Sequence, residues 1–327
     1  MNAWATPDLD EVRAVSAALN PYITRTPVVH WKGPEVEAAL PNTEIFLKLE
    51  LLQVTGTFKP RGALSVMLAL RDEGVLDAGV TAVSAGNHAV AVAYSAKLLG
   101  TAAKVVMPSN ANAFRVERCR RYGAEVVLTE TIADAFAEVE RIRGEEGRHF
   151  IHPFEGHRTT LGTATVGLEF CEQVPDLDAV IVPVGGGGLA AGISSAVTQL
   201  LPGCKVYGVE PEGAKSMSLS FASGKPETIE RVDTIADSLG APYALEQSFA
   251  LCQRHIEAIA LVSDDELRRA MRFLFENAKI AVEPAGAAAT AAALGPLAAE
   301  LAGKRIGLVV CGSNTDIDTF AEQVGTG

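Results

Sequence analysis

Short runs of β-branched and other apolar residues alternate along the chain with longer segments in which alanine and leucine recur at helical spacing. The short runs predict strands and the longer segments predict crossover helices, an alternation typical of βαβ units. Such units build mostly parallel sheets covered by helices, so the pattern predicts an α/β fold. The clearest predicted strands are Thr81–Ser84, Ala103–Met107, Glu125–Leu128, Ala179–Val184, Lys205–Glu210 and Arg305–Val310.

Composition narrows the class of protein. The 327 residues are 48% hydrophobic, enough for the core of one large or two medium domains, and the net charge of −12 disfavours a nucleic-acid partner. No apolar run approaches the roughly 20 residues of a bilayer helix, and the N-terminus lacks the apolar stretch of a signal peptide. We therefore expect a cytoplasmic protein with no membrane partner. Five scattered cysteines without a CxxC pair predict neither disulfides nor a zinc site.

Three predicted strands end in loops of small and polar residues. These loops are SAGNH at 84–88, GGGGL at 185–189 and CGSN at 311–314. Ligands of open α/β sheets bind beyond the carboxyl ends of the strands, so the three loops are expected to converge on one site. Glycine after a strand also makes an ordinary turn into a helix, and for any single loop that alternative stays open.

Four consecutive glycines precede one predicted helix, in the order Gly185, Gly186, Gly187, Gly188 and then Leu189. Backbone N–H groups without neighbouring Cβ atoms, at the positive end of a helix dipole, favour an anion, so we predict a phosphate site. Gly185, Gly187 and Ala190 also satisfy a loose G-x-G-x-x-A pattern, and Glu210 ends the next strand as an NAD fingerprint requires. An NAD-binding oxidoreductase is therefore an alternative, although it gives Lys59 no role.

Lys59 lies in the segment TGTFKPRGA, between Phe58 and a proline. Partial desolvation beside an aromatic ring would lower the pKa of the amine and make it a better nucleophile toward a carbonyl. With a phosphate site on the same sheet edge, this chemistry predicts pyridoxal phosphate, whose aldehyde reacts with a lysine amine. A solvated lysine at a helix start is the alternative for any lone lysine.

Several motifs together resemble one family. TGTFKPRGA, SAGNH, HPF, PVGGGGLAAGISSA, GVEP, the pair Glu283–Pro284 and CGSN follow one another as in the fold-type II pyridoxal-phosphate enzymes (tryptophan synthase beta-like), in the group of threonine/serine dehydratases and serine racemase. The resemblance implies two domains, each with a mostly parallel, helix-flanked sheet. We expect a large cofactor-binding domain of residues 1–69 and 151–327. A small inserted domain of residues 70–150 would carry SAGNH and close over the site.

The resemblance also implies roles for individual residues. Lys59 would bind the cofactor covalently and act as the catalytic base, and Phe58 would pack near the cofactor ring. Asn87 would bond the ring hydroxyl, Glu283 would lie near the ring, and Cys311 would face the pyridine nitrogen. The loop at 185–189 would bind the cofactor phosphate. The positions implied for the substrate carboxylate are Ser84, Ala85, Gly86, Asn87 and His88.

The implied reaction is β-elimination from a hydroxy-amino acid, which converts threonine or serine to 2-oxobutanoate or pyruvate plus ammonia. A thiol at Cys311 cannot hold the pyridine nitrogen protonated as a carboxylate would, and direct elimination fits such a ring. Dehydratases of 3-hydroxyaspartate or phenylserine, and serine racemase, are the alternatives. Ala85 stands where racemases of the group carry a second serine, and Phe154 of HPF is closer to threonine dehydratases, so a dehydratase is favoured.

Two further stretches bear on metals and on the substrate. Glu210 and Ala214 match metal-binding positions of relatives, but Ser216 stands where a second carboxylate would be, so no tight divalent-metal site is expected. His157 and Arg158 would bind a second substrate carboxylate or, as is commoner for loop charges, face solvent. By the resemblance, we also expect a homodimer that acts on a small amino acid.

Overall fold

The computed structural model describes residues 4–325. Its strands are β1 (Val28–Trp31), β2 (Glu44–Lys48), β3 (Val80–Val83), β4 (Ala103–Pro108), β5 (Glu125–Thr129), β6 (His149–Phe150), β7 (Ala179–Pro183), β8 (Lys205–Pro211), β9 (Ala258–Val262) and β10 (Arg305–Val309). Its helices are α1 (Leu9–Leu19), α2 (Pro34–Ala39), α3 (Lys59–Asp72), α4 (Asn87–Leu99), α5 (Ala113–Arg121), α6 (Ile132–Glu146), α7 (His157–Gln173), α8 (Gly188–Leu200), α9 (Ser216–Ser223), α10 (Glu246–His255), α11 (Asp264–Ala278), α12 (Pro284–Leu294), α13 (Ala298–Leu301) and α14 (Ile317–Gly325).

The larger of the two sheets within residues 4–325 has six strands in the order β1-β2-β10-β7-β8-β9. Only β1 is antiparallel to its neighbour; the other pairs in this sheet are parallel. Every residue of β7 is buried, as is every residue of β10 after the first. Helices cover both faces of such a strand, which is why its sequence is a continuous apolar run instead of an alternating one.

Within residues 4–325, the smaller sheet has four parallel strands in the order β5-β4-β3-β6. It has apolar clusters of its own, built around residues such as Val80, Val105 and Met107. The chain enters this sheet after α3 and leaves it through β6, and its strands all lie between Val80 and Phe150. The domain boundaries at 69/70 and 150/151 stay predictions. No helix in the described part of the chain is long and apolar enough to cross a membrane.

All six strands predicted from the sequence are present, with ends within one residue of the predicted ones. The predicted α/β class and the two helix-flanked, mostly parallel sheets are confirmed. The sequence did not predict four of the strands: β1, β2, β6 and β9. β1 and β9 form the two edges of the large sheet and are only partly buried, so their apolar signal is weak.

A buried ion network fixes the helix that begins at Lys59. Arg61 is fully buried; its Nε donates to Glu50 at 2.8 Å and its Nη1 donates to Glu169 at 2.8 Å. Lys48, also fully buried, donates from Nζ to the same Glu169 at 2.7 Å. Buried charges are tolerated only when they are paired and hydrogen-bonded, and here two cations face two carboxylates. The network therefore orients α3 relative to β2 and α7.

Candidate active site

A cavity of about 410 Å³ lies between the two sheets. The structure brings to it Lys59, the loop SAGNH, the four glycines and Cys311, from parts of the chain that are far apart in sequence. Each loop follows a strand end, so the cavity lies at the carboxyl edges of both sheets, as expected for ligand sites of α/β proteins. Residue Asn314 of the CGSN loop contacts this group through Asn87.

Lys59 is the first residue of α3, and its amine reaches into the cavity. Its Nζ donates to the carbonyl oxygen of Pro153 at 2.8 Å and lies 5.2 Å from the centre of the Phe58 ring. Burial lowers the pKa of the Lys59 amine to about 8, against the opposing charges of Cys311 and Glu283. An amine with this pKa is partly unprotonated near neutral pH, as a nucleophile toward an aldehyde must be.

The loop at 185–189 leads directly from β7 into α8. The backbone N–H groups of all five residues have no acceptor among the residues that the structure describes. A Cβ on Gly186 would lie 2.4 Å from the ring of Phe154, and one on Gly188 would lie 2.4 Å from the carbonyl oxygen of Phe154. Glycine is thus required because Phe154 packs against the loop, and the unpaired amides at the start of α8 suit an anion.

We expect Gly188→Ala to weaken the binding of pyridoxal phosphate by about tenfold to a hundredfold. The added methyl group meets main chain at Phe154, so the loop itself must move, and overpacking of this kind costs about 1–3 kcal/mol. Gly203→Ala is the matched control, since nothing lies within 4 Å of its Cβ position. Fluorescence titration of the cofactor-free protein measures the affinity of both variants. Equal affinities for the two variants would contradict a phosphate site in this loop.

The loop SAGNH leads from β3 into α4, which begins at Asn87. The N–H groups of Ala85, Asn87 and His88 have no acceptor within residues 4–325, and the hydroxyl of Ser84 accepts from the N–H of Gly86 at 3.0 Å. These amides form a second anion cradle, at the N-terminus of a helix of 13 residues. The cavity therefore offers two separate sites for anionic groups.

Asn87 belongs to a hydrogen-bonded cluster in the cavity wall. Its Oδ1 accepts from Asn314 at 2.9 Å, and its Nδ2 donates to Glu283 at 2.7 Å and to Ser238 at 2.9 Å. The N–H of Asn314 donates to the other oxygen of Glu283 at 3.0 Å. Burial raises the pKa of Glu283, and the nearby Arg115 opposes this rise. The side chains of Asn87 and Glu283 are thereby held in fixed orientations.

Cys311 follows the strand β10 by two residues and lines the cavity. Its thiol lies 3.3 Å from the carbonyl oxygen of Ala285, and burial raises its pKa, so the sulfur is a neutral donor. The carbonyl oxygen of Cys311 accepts from the N–H of Phe58 at 3.2 Å, which ties this strand end to the segment before Lys59. A thiol, and not a carboxylate, therefore lies at this position in the cavity.

The sequence did not identify Arg115, which lies on α5 and is only 4% exposed. Its Nε donates to the carbonyl oxygen of Asn314 at 2.8 Å, and its guanidinium pairs with Asp237 and with Glu283. The sequence could not distinguish Arg115 from the other arginines of α5, which are Arg118, Arg120 and Arg121. The sequence also missed several hydrophobic residues of the wall, among them Phe136, Leu239 and Tyr243.

His157 and Arg158 are not among the residues that line the cavity. His157 lies 3.6 Å from Glu11, and Arg158 lines a separate depression beside α1 and α3. The suggestion that they bind a second substrate carboxylate has no geometric support. Sequence alone could not show this, because α7 carries them away from the cavity immediately after the HPF turn.

Glu210 is the residue before the last of β8, and it accepts from the N–H groups of Met217 at 2.9 Å and Ser218 at 2.7 Å, at the start of α9. Burial raises its pKa to about 8, and the two N–H donors oppose the rise. The carboxyl group thus caps a helix. No group of three or more His, Cys, Asp or Glu residues that could hold a metal ion occurs in the part of the chain that the structure describes.

The residues that line the cavity fit pyridoxal phosphate. A lysine amine of lowered pKa, a neutral thiol and a glycine loop with unpaired amides lie around one space. The aldehyde of this cofactor reacts with a lysine amine, its phosphate suits unpaired backbone amides, and a neutral thiol can face its pyridine nitrogen. The unpaired amides of SAGNH are not needed for the cofactor phosphate, so they can bind an anionic group of a second molecule.

Comparison with known proteins agrees with this fit. A family model described as "Pyridoxal-phosphate dependent enzyme" matches residues 19–312. Phenylserine dehydratase of Ralstonia pickettii is 55% identical over 100% of this chain and 99% of its own length. L-threonine ammonia-lyase of Thermotoga maritima is 36% identical over 98% of this chain and 78% of its own. The structure of maize serine racemase is similar, with a TM-score of 0.90 and 35% identity, and the match covers 98% of each chain. The chain therefore belongs to the fold-type II pyridoxal-phosphate dependent enzymes.

Proposed function

We propose that this enzyme is a pyridoxal-phosphate dependent ammonia-lyase that dehydrates a 3-hydroxy amino acid with an apolar, preferably aromatic, side chain. Lys59 is the covalent anchor and base, 185–189 bind the phosphate, and 84–88 bind the substrate carboxylate. The observation that carries the proposal is the lysine amine of pKa about 8 between two separate cradles of unpaired backbone amides. The similarity to dehydratases and ammonia-lyases along the whole chain supports the reaction type.

When bound, pyridoxal phosphate withdraws electrons from the Cα atom of an amino acid joined to it and so acidifies the Cα proton. Lys59 is the group placed to accept that proton, because its amine reaches into the cavity and its lowered pKa suits proton transfer near neutral pH. The amides of SAGNH hold the substrate carboxylate and orient Cα toward the amine. The substrate loses its Cα proton and its 3-hydroxyl group, together one water. Hydrolysis of the released product consumes one water and yields a 2-oxo acid and ammonia.

The cavity wall supports an apolar substrate side chain. Phe136, Phe154, Leu239 and Tyr243 line the cavity, and such side chains pack well against a phenyl ring. The guanidinium of Arg115 also lines it, but Asp237 and Glu283 already neutralise that charge. A second substrate carboxylate, as in 3-hydroxyaspartate, would have to compete with both of these partners. Phenylserine, the substrate in the name of the relative that is 55% identical, has the expected shape.

Two alternatives have less support. Threonine and serine share the reacting atoms, but their small side chains would leave much of the aromatic wall without contact. A racemase needs a second acid or base on the other face of the substrate, and Ala85 supplies none. Threonine therefore remains the second candidate substrate. Serine racemisation is the alternative with less support.

We expect kcat/KM for phenylserine to exceed kcat/KM for serine by about tenfold to a hundredfold. Burying an aromatic ring contributes about 1.5–3 kcal/mol, and this free energy corresponds to a ratio of about that size. Keto-acid formation from phenylserine, threonine, serine and 3-hydroxyaspartate measures the order. If 3-hydroxyaspartate were the best substrate of the four, the proposed side-chain class would be wrong.

We expect Phe136→Ala to lower kcat/KM for phenylserine by about fivefold to thirtyfold, and to change kcat/KM for serine much less. Phe136 lies on α6 and lines the cavity, where we expect only a large substrate side chain to contact its ring. The removed contact is about 1–2 kcal/mol of apolar burial. Phe114→Ala is the matched control, because Phe114 is 41% exposed and is not among the residues that line the cavity. Equal losses for both substrates would argue against a side-chain site here.

A further inference from the structure

His152 has no part in the reaction just proposed, yet it organises the turn that joins the two sheets. The turn follows β6, and the Nδ1 atom of His152 accepts from the N–H of Phe154 at 3.3 Å and from the N–H of Glu155 at 2.9 Å. An imidazole nitrogen that accepts two hydrogen bonds is unprotonated, so this ring is neutral with its proton on Nε2. Burial and the nearby Lys59 lower the pKa of His152 to about 4, in agreement with that geometry.

Each residue after His152 in this turn contacts a different part of the site. The carbonyl oxygen of Pro153 accepts from Nζ of Lys59 at 2.8 Å. Phe154 packs against the glycine loop so closely that a Cβ on Gly186 or Gly188 would lie 2.4 Å from it. A displacement of this turn would therefore move the lysine contact and the phosphate loop together.

The third residue, Glu155, extends the same turn to another element. Its two carboxylate oxygens accept from the N–H groups of Gln247 at 2.7 Å and Ser248 at 3.1 Å, at the start of α10. The ring of His152 is further held by edge contacts with Phe150, at 5.6 Å between ring centres, and with Phe154, at 4.7 Å. The backbone conformation of the turn thus depends on one side-chain acceptor, Nδ1.

We propose that His152 is a positioning residue that, through its Nδ1 acceptor, sets the distance between the Lys59 amine and the phosphate-binding glycines. Such spacing must match the length of the bound cofactor, so an error in the turn weakens cofactor binding and disturbs the attachment at Lys59. The inference rests on the proposed role of Lys59 as the covalent anchor. It assigns no contact between His152 and the substrate.

Replacements at this position separate a hydrogen-bonding role from a packing role. The side-chain oxygen of asparagine accepts backbone N–H bonds in the same short turn, serine does so more weakly, and leucine fills the space without an acceptor. We therefore expect the affinity for pyridoxal phosphate to fall in the order His152→Asn, His152→Ser, His152→Leu. The asparagine variant should stay within about threefold of the parent and the leucine variant should lose on the order of tenfold to a hundredfold. A ring needed only for packing predicts the reverse order, with leucine best.

The experiment is a cofactor titration of these variants, read by fluorescence and by the visible spectrum of the bound cofactor as a function of pH. His157→Leu is the control, since the side chain of His157 is exposed at the start of α7. If leucine binds as well as asparagine, or if the spectrum of every variant titrates like the parent, the proposal is overturned. If His152→Leu does not fold, the comparison of asparagine with serine decides in the same way.

Lys59→Ala, titrated in parallel, distinguishes this inference from the proposed function. Should that variant keep the parent's visible spectrum, Lys59 is not the anchor, and both the proposed function and the role of His152 fail. Should it lose the spectrum while His152→Leu keeps the parent's affinity and spectrum, only the inference about His152 fails.

Discussion

Replacing Lys59 with alanine is expected to abolish covalent attachment of pyridoxal phosphate and to lower the rate of keto-acid formation by about 10⁴-fold or more. Loss of a group that acts as both covalent anchor and base has effects of this order in other enzymes. The fold should survive, because Lys59 is the first residue of α3 and alanine is a good helix former. Borohydride reduction of the parent, followed by peptide mapping, identifies the modified lysine.

Lys97→Ala is the matched control for this experiment, because Lys97 is exposed on α4 and is not among the residues that line the cavity. It should keep the parent's spectrum and rate. Modification of a lysine other than Lys59, or a Lys59→Ala variant with near-normal turnover, would contradict the assigned role.

The second large effect concerns stability. Arg61→Met should lower the free energy of unfolding by about 3–5 kcal/mol, because it leaves buried carboxylates without their cation. Two nitrogens of Arg61 bond to each of Glu50 and Glu169, but Glu169 also pairs with Lys48, so Glu50 loses more. Urea-induced unfolding of the cofactor-free enzyme measures the change. The displaced start of α3 should also weaken cofactor binding.

A second replacement tests the cause of this loss. Glu50→Gln in the Arg61→Met background removes the stranded charge, so the double variant should recover part of the lost stability and the two changes should be strongly non-additive. Arg71→Met is the control on the same helix; that side chain is largely exposed and should alter stability by about 0.5 kcal/mol or less. If Arg61→Met behaved like Arg71→Met, the buried network would have no structural role.

The sequence predicted those parts of the site that lie in contiguous motifs. Lys59, the loop at 84–88, the loop at 185–189 and Cys311 all line one cavity, because each follows a strand end or begins a helix and parallel strands bring their ends to one edge. The roles assigned to these residues stay proposals. The cofactor predicted from them is confirmed by the family to which the chain belongs.

Other residues acquired their importance only through tertiary contacts. Arg115 is one arginine on a basic helix, and it becomes part of the cavity wall because Asp237 and Glu283 approach it from 122 and 168 residues away. Lys48 is a fully buried charge at the end of β2, and it is tolerated there because Glu169 pairs with it. Pairings across such separations leave no periodic signal in the sequence.

The sequence by itself determined the α/β class, six of the strands and the choice of cofactor. Buried parallel strands are continuous apolar runs, and glycine loops have few substitutes where main chain must approach an anion. Tertiary structure decided the rest: it neutralised Arg115, turned His157 and Arg158 away from the cavity and made His152 the acceptor for a turn. The backbone conformation of a local motif is set by its own residues. Charge pairing and the direction of a side chain depend instead on residues that are distant in sequence and become neighbours only in the fold.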